Sequence, residues 1–246
     1  MRVFIAAFLA LVCTGIISNA QANADYAREK KWADEIIPGI VVGDPVYLRL
    51  NNGRKFLSLL TEAKGAKKAL ILVHGTGVHP DWSLIGSLRA QLPDYGYTTL
   101  SIQMPVLAID ARDSEYRSTY PEAIERIATA VQFLHAKGYN KIGIVSHSVG
   151  SDISALYLRQ HPNSLFAWAA LGLSEDDAFV GVKIPVLDLY GENDLPDIVR
   201  SAAARAASLK GKPGVKQIRL PKADHFYSQQ EAEMIKTVKD FLDSVP

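Results

Sequence analysis

The chain has 246 residues, 48% of them hydrophobic, and a formal net charge of +1. This length and apolar content suit one globular domain with a sizeable core and exclude a disordered chain. The near-neutral charge carries no electrostatic footprint for nucleic acid, and the sequence contains neither an internal repeat nor a low-complexity segment.

At the N-terminus, Arg2 precedes an apolar run from Val3 to Ile17, and small residues follow as far as Ala20-Gln21-Ala22-Asn23-Ala24. A charged start, an apolar stretch and an A-x-A site form the layout of a secretory signal, so residues 1–22 are read as a signal peptide. Cleavage after Ala22 and cleavage after Ala24 are equally legible. The run is shorter than the roughly 20 residues that cross a bilayer, so no stable membrane span is expected in the mature protein. Cys13, the single cysteine, lies inside this run. Its removal leaves no disulfide, thiol nucleophile or cysteine metal site. Ala10-Leu11-Val12 do not provide the small residue that a lipid-attachment cysteine needs beside it. Export without disulfides points to a periplasmic or secreted protein.

Residues 23–39 are polar and mixed and are read as an arm packed loosely on a domain spanning 40–246. Val46–Leu50 and Phe56–Leu60 alternate apolar and polar residues around Asn51-Asn52-Gly53-Arg54, a strong hairpin signal. Ala69–Val73 is continuously apolar, as a strand buried on both faces should be. The pattern then predicts a helix over 83–91, a strand over 97–102 and a helix over 121–137 that stops at Gly138. Strands at 142–145, 166–173, 186–190 and 215–220 alternate with helices at 149–159, 197–209 and 229–242. A leading hairpin followed by alternating strand and helix predicts an α/β protein with a mostly parallel central sheet and helices on both faces. In such sheets, sites form beyond the carboxyl ends of the strands.

Three chemically apt residues occupy those ends. Ser148 sits in Ser146-His147-Ser148-Val149-Gly150, between a strand and a helix, where a tight elbow projects a serine hydroxyl from the sheet. Asp194 follows the strand ending at Tyr190, and His225 follows the one ending at Leu220. A serine hydroxyl needs a base to take its proton during attack. Histidine suits this near neutral pH, with an unperturbed pKa of about 6.5. A carboxylate fixes the imidazole tautomer and stabilises the imidazolium. The amide of Val149, at a helix start, and that of Thr76, in His74-Gly75-Thr76-Gly77, are the candidate oxyanion donors. Competing acids are Asp197, Asp176 and Asp177. Asp188 falls inside a strand, and Asp224 beside His225 would face elsewhere. His79, Trp82 and Phe226 are candidate substrate contacts, and the charged loop 106–120 is a candidate pocket wall. No metal or organic cofactor is called for.

Four segments together resemble the α/β-hydrolase superfamily: His74-Gly75, Ser146–Gly150, Gly191-Glu192-Asn193-Asp194 and Asp224-His225-Phe226. The resemblance implies a serine hydrolase acting on small-molecule carboxylic esters, with thioesters and amides open to the same machinery. Gly77–Trp82 also resembles a group of uncharacterised exported bacterial hydrolase-like proteins and implies no substrate. Ser146 departs from the glycine usual at its place in the elbow. The short link of residues 174–181 leaves no room for a cap domain, which implies a shallow site and modest chain-length selectivity. A second reading is a non-enzymatic envelope protein that uses the same fold as a binding scaffold.

Overall fold

The computed structural model describes residues 24–246, so the signal-peptide reading and Cys13 lie outside the described residues. An eight-stranded sheet runs β1 (Asp44–Arg49), β2 (Lys55–Thr61), β4 (Tyr97–Ile102), β3 (Lys68–Val73), β5 (Lys141–His147), β6 (Trp168–Leu171), β7 (Val186–Asn193) and β8 (Lys216–Asp224) in spatial order. β2 pairs antiparallel with β1 and with β4, and every other pairing is parallel. The hairpin closes through Leu50 and Arg54, with Gly53 at φ 85 and the Asn52 side chain accepting from the Arg54 amide.

Side-chain alternation divides the core between the two faces of the sheet. On β3, Ala69, Ile71 and Val73 join one cluster, while Leu70 and Leu72 join the other. The first face is covered by α3 (Tyr120–Ala136) and α4 (Val149–Gln160) through Ile127, Val131, Leu134, Ile153 and Leu158. The second is covered by α2 (Ser83–Gln91) and α6 (Glu231–Ser244) through Leu84, Leu88, Met234, Val238 and Phe241. α5 (Pro196–Leu209) follows β7. Residues 172–185 between β6 and β7 contain no helix, so no cap covers the carboxyl edge. β6 is shorter than the 166–173 expected. β7 and β8 are longer; β8 is an edge strand and tolerates Pro221 within it.

The expectation of a loose N-terminal arm is overturned. Residues 26–36 form α1 (Tyr26–Ile36), capped by Asp25, which accepts from the Arg28 amide at 3.0 Å. Glu29 points inward and pairs with Arg126, which is fully buried on α3. Arg126 also donates to Glu122 and to the Gln103 carbonyl. The arm read as polar because its apolar patch is small, Ala33 and Ile36 against Leu57 and Leu59, and a buried ion pair anchors it as well.

Removing one partner of a buried pair strands the other's charge, at roughly 3–5 kcal/mol. Arg126→Met should therefore lower unfolding stability by about that amount, and adding Glu29→Gln should recover part of it. Urea denaturation of the two variants checks both outcomes.

Candidate active site

The elbow between β5 and α4 puts Ser148 at φ 55, ψ −131, a conformation that non-glycine residues rarely adopt. Such strain costs about 1–3 kcal/mol and persists only where surrounding contacts over-determine it. Here the Ser148 amide donates to Leu171 O at 2.9 Å, and the Ser148 carbonyl accepts from the Ser151 amide at 2.7 Å. Gly150 lets α4 start directly against β3, since a Cβ there would lie 2.5 Å from His74 O. Ser146, in place of the usual glycine, has a definite task. Its hydroxyl accepts from the indole N–H of Trp168 at 2.8 Å and donates to Ser151 Oγ. Both Ser146 and Trp168 are fully buried, and the hydroxyl satisfies an indole that would otherwise lack a partner.

Asp194 and His225 directly follow β7 and β8. Their side chains meet, His225 Nδ1–H donating to Asp194 Oδ1 at 2.7 Å. Asp194 also accepts from the amides of Gly191 and Leu195. Burial pushes its carboxyl up, but the bonds from His225, Gly191 and Leu195 outweigh this and hold it below the ordinary value. Asp194 is therefore a carboxylate that keeps the proton of His225 on Nδ1 and leaves Nε2 free to act as a base. Gly172, at φ 58, allows the imidazole to lie close, because a Cβ there would sit 3.0 Å from the ring.

Ser148, His225, Thr76 and Val149 line one cavity of about 460 Å³. Val149 is the first residue of α4, so its amide has no partner within the helix. Thr76 follows a turn fixed by His74, whose Nδ1–H donates to Gly75 O at 2.8 Å and whose Nε2 accepts from the Met104 amide at 2.9 Å. Burial drives the His74 pKa down to about 3, so this ring is a neutral strut. His147 is a second one, taken down to about 4 by burial and the neighbouring His225. Its Nε2–H donates to the His225 carbonyl at 2.9 Å and ties the histidine loop to the elbow. Sequence reasoning left His147 without a role; its position next to Ser148 was the signal available.

Of the candidate contacts, Trp82 and Phe226 line the cavity, and both are about half exposed at its rim. His79 is not among the lining residues; it lies between Trp82 and Trp32 in an adjoining groove. The loop 106–120 does not line the cavity either. It packs on α1, with Val106 O accepting from the Asp25 amide and Leu107 O from Arg28. Leu195 and Ile198, at the start of α5, line the cavity. Among the competing acids, Asp197 lines the cavity in the first turn of α5. Asp177 contacts Arg159, Asp188 pairs with Arg205 in the core, and Asp224 accepts from the amides of Phe226 and Ser228.

A protein family described as a protein of unknown function, DUF3530, matches residues 47–124. That stretch holds the Thr76 turn and Trp82 and ends before Ser148. Functionally curated proteins gave no match to the sequence. Solved structures match much more of the chain. Est1E from Butyrivibrio proteoclasticus is 18% identical, with a TM-score of 0.65, over 80% of this chain and 97% of its own. A dienelactone hydrolase from Anabaena variabilis is 18% identical, with a TM-score of 0.68, over 82% and 96%. XC6422 from Xanthomonas campestris, described as an α/β serine hydrolase without a lid, is 12% identical, with a TM-score of 0.67, over 84% and 97%. The chain has the α/β-hydrolase fold, and it lacks a lid among the described residues.

One turn along α4 from the elbow, Asp152 is buried and its Oδ1 has no hydrogen-bond partner. Burial, reinforced by the charge of Glu175, raises its pKa from 3.8 to about 7. The folded state therefore holds a proton that the unfolded chain releases above pH 3.8, and stability falls as pH rises from there through about 7. Asp152→Asn should match the wild type at pH 4 and melt higher at pH 8, by on the order of 5 °C. Thermal melts across that range check the sign.

Proposed function

We propose that this chain is an exported serine hydrolase that cleaves carboxylic esters through an acyl-enzyme on Ser148. The observation that carries the reading is the convergence of Ser148 and His225 on one cavity, with Asp194 bonded to His225 Nδ1 at 2.7 Å. In this mechanism Ser148 Oγ attacks the ester carbonyl carbon as its proton passes to His225 Nε2. The amides of Thr76 and Val149 hold the oxyanion, each contributing about 2.7–4 kcal/mol to the transition state. The tetrahedral intermediate collapses, the acyl–oxygen bond breaks, and His225 protonates the departing alcohol. Water, deprotonated by His225, attacks the acyl group, and the acid leaves as the proton returns to Ser148. Asp194 stays ionised throughout and stabilises the imidazolium. Thioesters and amides suit the same groups.

The reading of export rests on the residue pattern at the N-terminus, and no helix among the described residues is long and apolar enough to cross a membrane. Substrate size follows from the cavity. Its volume is at the small end for ligand sites, and Trp82, Leu195 and Phe226 are each about half exposed around an open mouth. Short acyl chains should be preferred without sharp selection.

The mature protein should react with a fluorophosphonate probe, and Ser148→Ala should abolish labelling. Equal labelling of that variant, or none of the wild type, would sink the proposal. Asp194→Asn should keep the fold and lower kcat for p-nitrophenyl acetate by on the order of 10⁴, read by steady-state kinetics.

A further inference from the structure

A second groove, of about 920 Å³, adjoins the cavity that holds Ser148. Val78 and Trp82 line both. Three rings stand in a row along it. His79 lies 5.5 Å from Trp82 and 5.8 Å from Trp32, centroid to centroid, with both contacts edge to face. The row begins at the mouth of the triad cavity, where Trp82 is 47% exposed, and ends on α1.

The platform is fixed from every side. Arg28 stacks over Trp32 at 4.5 Å and donates to Leu107 O and Gly77 O. The loop carrying His79 and Trp82 is tied down by the Arg89–Asp81 pair and by Ser101 Oγ donating to Pro80 O. The buried Glu29–Arg126 pair seats α1. Trp82 is 47% exposed, and Trp32 and His79 are partly exposed, so each leaves some ring surface to the groove.

The chemistry of the rim identifies an occupant. Asp25, Glu35 and Asp110 stand against Arg28 and Lys31, so the signs nearly balance. Arg28 is engaged by carbonyls and Lys31 lies 3.8 Å from Glu35, which leaves little field to select a charged ligand. Burial lowers the His79 pKa and favours an uncharged ring that can also hydrogen-bond. A bare aryl group would gain most from a closed apolar slot. A partly exposed aromatic row, whose rim mixes paired charges with the apolar side chains of Ile36, Val78 and Ile109, suits a ring that is apolar on its faces and hydroxylated at its edges.

We propose that this groove is a carbohydrate subsite, and that the substrate is an O-acylated oligosaccharide. Its ester carbonyl lies at Ser148 and its sugar rings lie on Trp82, His79 and Trp32. The inference rests on the serine-hydrolase reading. Hydrolysis then adds one water, breaks the acyl–oxygen bond and releases a carboxylic acid and the free sugar hydroxyl.

Two measurements separate this proposal from that reading. Tryptophan fluorescence of the Ser148→Ala protein is titrated with unsubstituted cellohexaose, xylohexaose and chitohexaose. At least one should bind, and Trp32→Ala should weaken it about tenfold, the loss expected for one ring contact. Binding of none of the three would overturn the subsite. In parallel, kcat/KM is compared for an acetylated form of the bound oligosaccharide and for p-nitrophenyl acetate. Trp32→Ala should lower the ratio of the two through KM of the sugar ester, and Trp32→Phe should restore part of it. An unchanged ratio, or tighter binding of 2-naphthol than of any sugar, contradicts the proposal. Turnover of p-nitrophenyl acetate without sugar binding defeats the subsite alone, whereas failure of fluorophosphonate labelling defeats the hydrolase reading.

Discussion

The close approach of α4 to the end of β3 is the constraint on which the site depends. Only a residue without a side chain allows it, since a Cβ at Gly150 would lie 2.5 Å from His74 O and 2.7 Å from Val73 O. With the helix start pressed there, Ser148 is forced to φ 55 and its side chain is presented at the cavity. Val149, next along the chain, lines the same cavity as Thr76. The proposed nucleophile and the Val149 amide, a proposed oxyanion donor, are thus positioned by one close approach of helix to strand end. The strain at Ser148 is offset by the buried bonds of Ser146, Ser151 and Trp168 beneath it.

A second chain of contacts runs from the N-terminal helix to the His74–Gly77 turn. Glu29 holds Arg126, and Arg126 holds the Gln103 carbonyl. The Gln103 side chain donates to Val78 O, and the next amide, of Met104, donates to His74, which fixes Gly75. Arg28 reaches Gly77 O directly. α1 is therefore part of the scaffold of the turn, and it also carries Trp32 to the adjoining groove. A neutral, buried His74 suits this role, because a charged ring there would have no counter-ion.

The strands and helices that pack by apolar pattern were legible in the sequence. The run Ala69–Val73, the Asn52-Gly53 turn and the stripe of Ile127, Val131 and Leu134 each follow from burial on a period of two or 3.6. α1 was not legible as a packed element, because its apolar patch of Ala33 and Ile36 is small and the pairing of Glu29 with Arg126 over 97 residues leaves no local signature. Ser146 looked like a degenerate glycine until its indole partner, 22 residues away, was known. The types and strand-end positions of Ser148, Asp194 and His225 could be read from the chain. The choice of Leu195 and Ile198 over the loop 106–120 as a wall could not, since it depends on how α5 and α1 lie across the edge of the sheet. His79 belongs with Trp32, a pairing that spans helix and loop and has no sequence spacing to reveal it.

The central claim is that Ser148 carries the acyl group between two half-reactions. The most direct measurement is mass spectrometry of the protein quenched in acid during turnover of p-nitrophenyl acetate. The account predicts one acetyl group on the peptide containing Ser148, with a burst of p-nitrophenol that matches it in amount. Turnover with no acetyl group on that peptide, or with the acetyl group on another residue, would contradict it.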